Sequence, residues 1–295
     1  MTDETSGSTV PRRQLGRLLT ELREDAGVTL DAVAETLDCS RQKVWRIEKG
    51  LVPVRVVDAR AMCDRYAVPD EMSAIVVGLA KETRAKGWWH SYGDVVPSWF
   101  SLYVSLESSA SLLRRYDSEL IPGLFQTREY ATELFHRKNP ALGAEDLEKL
   151  VAVRLQRQHI LVRRLPSAPV LKVVLSEAVL RRTIPDRSAM AGQLRHLLEV
   201  AALPNVSLRV LPFAAGPPLA SESGTFVLLD FPRPFGRAAT EPTTVYVENI
   251  TGALYLDKPA EVAAYEHVWS DLETLASDEA ESKRLINKII EEHHD

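Results

Sequence analysis

TLDAVAETLDCSRQKVWRIEKG, residues 29 to 50, reads as two short helices joined by a tight turn. With Leu30 opening the first helix, Val33, Leu37, Cys39, Val44 and Ile47 fall on the inward faces, at the three-to-four spacing of an apolar stripe. Ala34 sits where the two helices cross most closely, and anything larger than a methyl group there would push the second helix off its angle. Asp38 occupies the turn, where a left-handed backbone is usual; glycine adopts that region at least cost, and Asp tolerates it better than most residues. Ser40 is the expected N-cap of the second helix, and Gly50 the residue that ends it.

Charge sharpens the reading. From Arg41 to Arg55 there are five basic residues (Arg41, Lys43, Arg46, Lys49, Arg55) and one acid, Glu48, whereas residues 12 to 40 carry four basic and six acidic side chains. Basic character is thus concentrated on the second helix and the loop after it, where a polyanion would be met. Residues 12 to about 70 resemble the Xre and phage-repressor type of helix-turn-helix. The resemblance implies double-stranded DNA as partner and places the base-reading positions on Arg41, Gln42 and Arg46, with Lys43 and Trp45 nearby. Arg can bridge guanine O6 and N7, and Gln can pair with adenine N6 and N7. Thr29, Ser40, Lys49 and Arg55 are the candidate phosphate contacts. Members often carry Gln at the start of the first motif helix to hold a phosphate; here that position is Leu30, and Thr29, its expected N-cap, is the nearby hydroxyl. Trp45 has two readings, a stacking surface for a sugar or thymine methyl, or a packing residue against the preceding helix.

Beyond this motif the chain is long enough for a second, larger domain: 295 residues, 45% hydrophobic and 26% charged. The net charge of −5 falls wholly after residue 90, so the larger domain is not expected to grip nucleic acid by itself. Two cysteines, Cys39 and Cys63, belong to no CxxC or Cys/His cluster and read as core residues in a reducing cytoplasm rather than a bridge or metal site. No apolar run approaches 18 residues, which argues against a membrane span and for a cytoplasmic protein. The polar start, MTDETSGSTVP, reads as a disordered arm over residues 1–11.

The expected architecture is α+β: an N-terminal all-α domain over 12–86, an aromatic-rich connector over 87–105, and a larger α+β domain over 106–295. Helices are expected near Leu15–Asp25, Val56–Tyr66, Asp70–Lys86, Leu106–Tyr116, Thr127–Lys138, Glu145–Arg164, Arg187–Ala202, Pro259–Leu275 and Asp278–His293. Short β-branched or aromatic runs at 170–177, 206–213, 224–231, 243–249 and 252–256 read as strands, the first two joined in a βαβ manner. Six aromatics crowd residues 88–103, among them Trp88, Trp89, Tyr92, Trp99 and Phe100; they read as an interdomain wedge or as the lid of a ligand pocket.

ELIPGLFQTREYA (119–131), with Glu107 and Tyr116 before it and LSEAVLRR (175–182), VLPF, GTFVLLDF and VYVEN after it, is similar to a large family of actinobacterial regulators with an uncharacterised C-terminal domain, including the WhiJ type. That resemblance covers the chain from about residue 12. It implies a regulator whose C-terminal domain captures a small partner protein, or alternatively an antitoxin-like protein that neutralises a neighbour-encoded partner and regulates its own operon. A homodimer is expected because one repressor-like module rarely gives enough affinity alone, and the size and aromatic content of the larger domain suggest a small-molecule effector. GTFVLLDF after strand, helix and strand also resembles a degenerate phospholipase D-like half. Phe226 and Leu228 stand where that chemistry needs His and Lys, so no catalysis of that kind is expected. No phosphate loop, GxSxG or zinc spacing occurs; catalytic residues, metal and cofactor are all expected to be absent. Gly123 reads as a turn residue, and His293 and His294 as a frayed tail.

Overall fold

A computed structural model describes residues 10–82, 98–232, 241–250 and 252–292. The chain divides into two compact units, residues 1–90 with 231–242 and residues 91–230 with 243–295.

Five helices are described in the first unit: α1 (Val10–Asp25), α2 (Leu30–Thr36), α3 (Arg41–Glu48), α4 (Val56–Arg65) and α5 (Asp70–Glu82). Helix α1 begins at Val10, five residues before the expected start, because Pro11 costs nothing in a first turn whose N–H groups have no helical partner. The rest of the proposed arm, residues 1–9, lies outside the described residues. Leu15, Leu18, Leu19 and Leu22 line one face of α1 and meet Val33, Val44, Ile47, Ala59, Met62 and Val76 in a single core. Of the expected inward positions, Val33, Ala34, Val44 and Ile47 are buried, while Leu37 and Cys39 are half-buried at the margin. Asp38 adopts φ 48°, the left-handed turn the sequence requires. Cys39 and Cys63 are free thiols.

The second unit is built on a six-stranded mixed sheet of β1 (Leu112–Asp117), β2 (Val170–Ser176), β3 (Val206–Leu211), β4 (Phe226–Asp230), β5 (Thr244–Asn249) and β6 (Gly252–Leu256). Its order is β3-β2-β1-β4-β5-β6, with β1, β2 and β3 parallel and β4, β5 and β6 antiparallel to their neighbours. The helices are α6 (Ser98–Ser109), α7 (Arg128–Lys138), α8 (Ala144–Arg157), α9 (Glu177–Arg181), α10 (Arg187–Val200), α11 (Ala220–Ser223), α12 (Pro259–Leu275) and α13 (Glu279–Glu292). Helix α10 makes the β2-to-β3 crossover expected of a βαβ unit. Trp269 and Leu272 of α12 pack on Tyr116, Val174, Leu228 and Val245, closing one face of the sheet. The C-terminal end of α12 is capped by Arg209, which donates to the carbonyls of Glu273, Ala276 and Ser277.

Two expectations are corrected here. The helix expected over Leu106–Tyr116 is instead the end of α6 followed by β1, a central strand of the sheet. Leu and Arg are good helix formers, and local propensity favours a helix. Tertiary context overrides it: Arg114 reaches Asp230 with two hydrogen bonds of 3.0 and 3.1 Å, and Arg115 holds Asp117 at 2.5 and 2.7 Å, so neither charge is stranded in the sheet. The helix expected to run to Arg164 ends as α8 at Arg157, tightens into a 3-10 turn over Gln158–Leu161 and stops before Pro166. Among the described residues no helix is long and apolar enough to cross a membrane.

Candidate nucleic-acid interface

The two motif helices are capped as the sequence demands. Thr29 Oγ1 accepts from the Ala32 amide at 3.2 Å and Ser40 Oγ from the Lys43 amide at 3.2 Å, satisfying first-turn donors that the helix leaves open. Each hydroxyl is exposed and keeps its own proton to donate, which is what a phosphate oxygen accepts. At the other end the Gly50 amide bonds the Ile47 carbonyl and the Leu51 amide the Arg46 carbonyl, both at 2.9 Å. That is a Schellman closure, with Gly50 at φ 66°.

Val44 and Ile47 turn into the core, so the 100° advance per residue leaves Arg41, Gln42, Trp45, Arg46 and Lys49 on one outward face, with Lys43 at its edge. All six are exposed. Trp45 keeps 45% of its surface exposed and lies on the face with the base-reading candidates, outside the buried core. Arg41 stands 3.8 Å from Asp31, but both are exposed, and such a pair contributes about 0–1 kcal/mol, little enough to exchange for a phosphate or base.

Two members of the charge run behave differently from a simple count. Glu48, the acid in the basic stretch, is 7% exposed and faces away from the others. Arg23 of α1 holds it in a fork, Nε to Oε1 at 2.7 Å and Nη2 to Oε2 at 3.1 Å, and also donates to the Val28 carbonyl at 3.1 Å. The hydrogen bond to Glu48 raises the Arg23 pKa, against the opposing effect of burial. The outward face therefore carries no acid of its own helix. Arg55 precedes α4 and donates through Nε and Nη2 to the Asp58 carboxylate at 2.9 and 2.7 Å. That hydrogen bond raises its pKa and offsets its charge, leaving Lys49 the stronger of the two candidate phosphate contacts.

Sequence reasoning missed Arg23 and Gly16. Nothing local marks a pair 25 residues apart. At Gly16 a Cβ would stand 2.5 Å from the Glu48 carbonyl oxygen and 2.8 Å from that of Ile47; its hydrogen lets α1 touch the end of α3. Of the aromatic candidates, Trp88, Trp89 and Tyr92 lie outside the described residues, as do His293 and His294, and of Trp99 only the backbone, in α6, is described. Phe100 belongs to the second unit, its ring 5.8 Å from that of Tyr103 and 4.9 Å from the Arg157 guanidinium.

A helix-turn-helix domain model matches residues 14–74, and a model described as a domain of unknown function (DUF5753) matches residues 100–288. No curated protein matched the chain. The N-terminal unit is thus a helix-turn-helix domain, which points to a DNA-binding regulator. The second match spans well over half of the chain, which accordingly belongs to the DUF5753 family.

Proposed function

We propose that this protein is a cytoplasmic, sequence-specific regulator of transcription of the Xre type, acting without catalysis or a cofactor. Arg41, Gln42, Lys43 and Arg46 read base edges in the major groove, and Thr29, Ser40, Lys49 and Arg55 hold the phosphates. The carrying observation is the outward face of α3, which carries Arg41, Arg46 and Lys49 and no acid because Arg23 withdraws Glu48 into the unit. One such helix makes few contacts, and a two-fold dimer doubles them on half-sites about one helical turn apart. The second unit supplies that dimerisation, along with the surface for a small protein partner or effector.

Binding to a randomised operator library tests this. Arg46→Ala and Gln42→Ala are each expected to relax base preference at one position, with a loss of about 1–3 kcal/mol per bidentate contact. Lys49→Ala is expected to weaken all sequences alike and to flatten the salt dependence by about one ion. Wild-type affinity and preference in Arg46→Ala would sink the assigned register of α3. A footprint on a single unrepeated half-site would sink the dimer.

A further inference from the structure

In the second unit three arginines converge on one cavity of about 90 Å³: Arg115 from β1, and Arg154 and Arg157 from α8, with Tyr103, Tyr246 and Glu248 completing the polar wall. Two of the three are neutralised from behind. Arg157 forks onto buried Glu107 at 2.8 and 3.0 Å, and Arg115 onto buried Asp117. The Tyr103 hydroxyl donates to Glu107 at 2.7 Å, locking the ring between the two pairs. Among the described residues, no carboxylate pairs with Arg154. Its Nη1 donates to the neutral Gln126 Oε1 at 2.9 Å, and its guanidinium covers the Phe135 ring at 4.9 Å.

This placement is built, not incidental. Gln126 is itself buried and fixed by its own bond to the Ile121 carbonyl at 2.6 Å, so its acceptor can point only where Arg154 arrives. Gly123, expected to mark a turn, opens a 3-10 turn and clears the path of Arg154: a Cβ there would meet its Nη1 at 2.7 Å. Gln158 and Gln193 hold the same loop, donating to the carbonyls of Gln126 at 2.6 Å and Phe125 at 2.7 Å. The IPGLFQT segment thus serves to present one guanidinium beside another cation. Burial, with the nearby Arg157 second, pushes the Arg154 pKa down to about 10.

A half-buried guanidinium that no carboxylate pairs with is costly, and an oxyanion is its natural complement because two parallel N–H groups match two oxygens. The cavity falls well below the roughly 300 Å³ of a drug-sized site, which limits it to one such group. We propose that this cavity binds the carboxylate or phosphate group of a small ligand, gripped by Arg154 and the inward-facing edges of Arg157 and Arg115. Glu248, exposed and accepting from the Tyr246 hydroxyl at 3.0 Å, also lines the cavity, and its charge repels an anion, so the group is expected to seat on the arginines. The inference goes beyond the DNA-binding reading and stands independently of it.

The test is thermal unfolding and calorimetric titration of the full chain in sodium chloride, sodium phosphate and sodium acetate at equal ionic strength. Phosphate or acetate is expected to raise the transition of the second unit above its chloride value; which of the two does so identifies the group. Arg154→Gln is expected to be at least as stable as wild type in chloride and to bind the effective anion about 10- to 100-fold more weakly. Arg154→Lys, which keeps charge but lacks the fork, is expected to fall between. The proposal is overturned if neither anion exceeds chloride in the wild type, or if Arg154→Gln keeps the wild-type response.

Discussion

Glu107→Ala is expected to destabilise the second unit by about 3–5 kcal/mol, the range seen when one partner of a buried ion pair is removed. Glu107 is 2% exposed and Arg157 6%, and the same carboxylate also accepts from the Tyr103 hydroxyl. Removing it strands a guanidinium and a phenol at once, both largely buried. For a unit of this size the change corresponds to a fall in Tm of roughly 6–20 °C. The decisive comparison is the double variant Glu107→Leu with Arg157→Met, in which neither charge remains; it is expected to lie much closer to wild type, because replacing both partners of a buried pair is often neutral or better. Calorimetry of the full chain would resolve the affected transition. A Glu107→Ala transition within 2 °C of wild type, roughly, would mean that the pair contributes nothing to folding.

The second large effect is expected at Gly50. Its φ of 66° costs an L-residue about 1–2 kcal/mol, and an added Cβ would stand 2.7 Å from both N and Cα of Arg13 and 2.9 Å from the Arg12 carbonyl carbon. Those neighbours are backbone and have no rotamer to escape into, so overpacking adds about 1–3 kcal/mol. Gly50→Ala should therefore unfold or loosen the first unit by about 2–5 kcal/mol and abolish operator binding, while the transition of the second unit stays in place. Gly27 provides the control: it has φ 64° but nothing within 4 Å of its missing Cβ, so Gly27→Ala should lose only the backbone share and keep DNA affinity. Equal losses in the two variants, measured by denaturant titration, would show that strain alone matters and that the α1 contact does not.

The contrast between these glycines separates what is local from what is not. Every feature that makes residues 29 to 50 a helix-turn-helix acts within about four residues: Thr29 and Ser40 cap the amides three positions on, Asp38 turns, Gly50 closes, and Val44 and Ile47 repeat at helical spacing. Local rules of that kind are written into the sequence, which determined the α+β class, the domain order, five of the six strands and the outward face of α3. Contacts remote in sequence have no such record. That Glu48 turns inward depends on Arg23, 25 residues earlier, and that LLRRYD is a central strand rather than a helix depends on Asp230, 116 residues after Arg114. Arg154 and Arg157 carried one faint sign, two arginines at i and i+3 amid the apolar residues of α8. Only the tertiary structure brought them against Arg115 and Gln126, because the desolvation of a charge and the identity of its partner are properties of the assembled core, not of its neighbours along the chain.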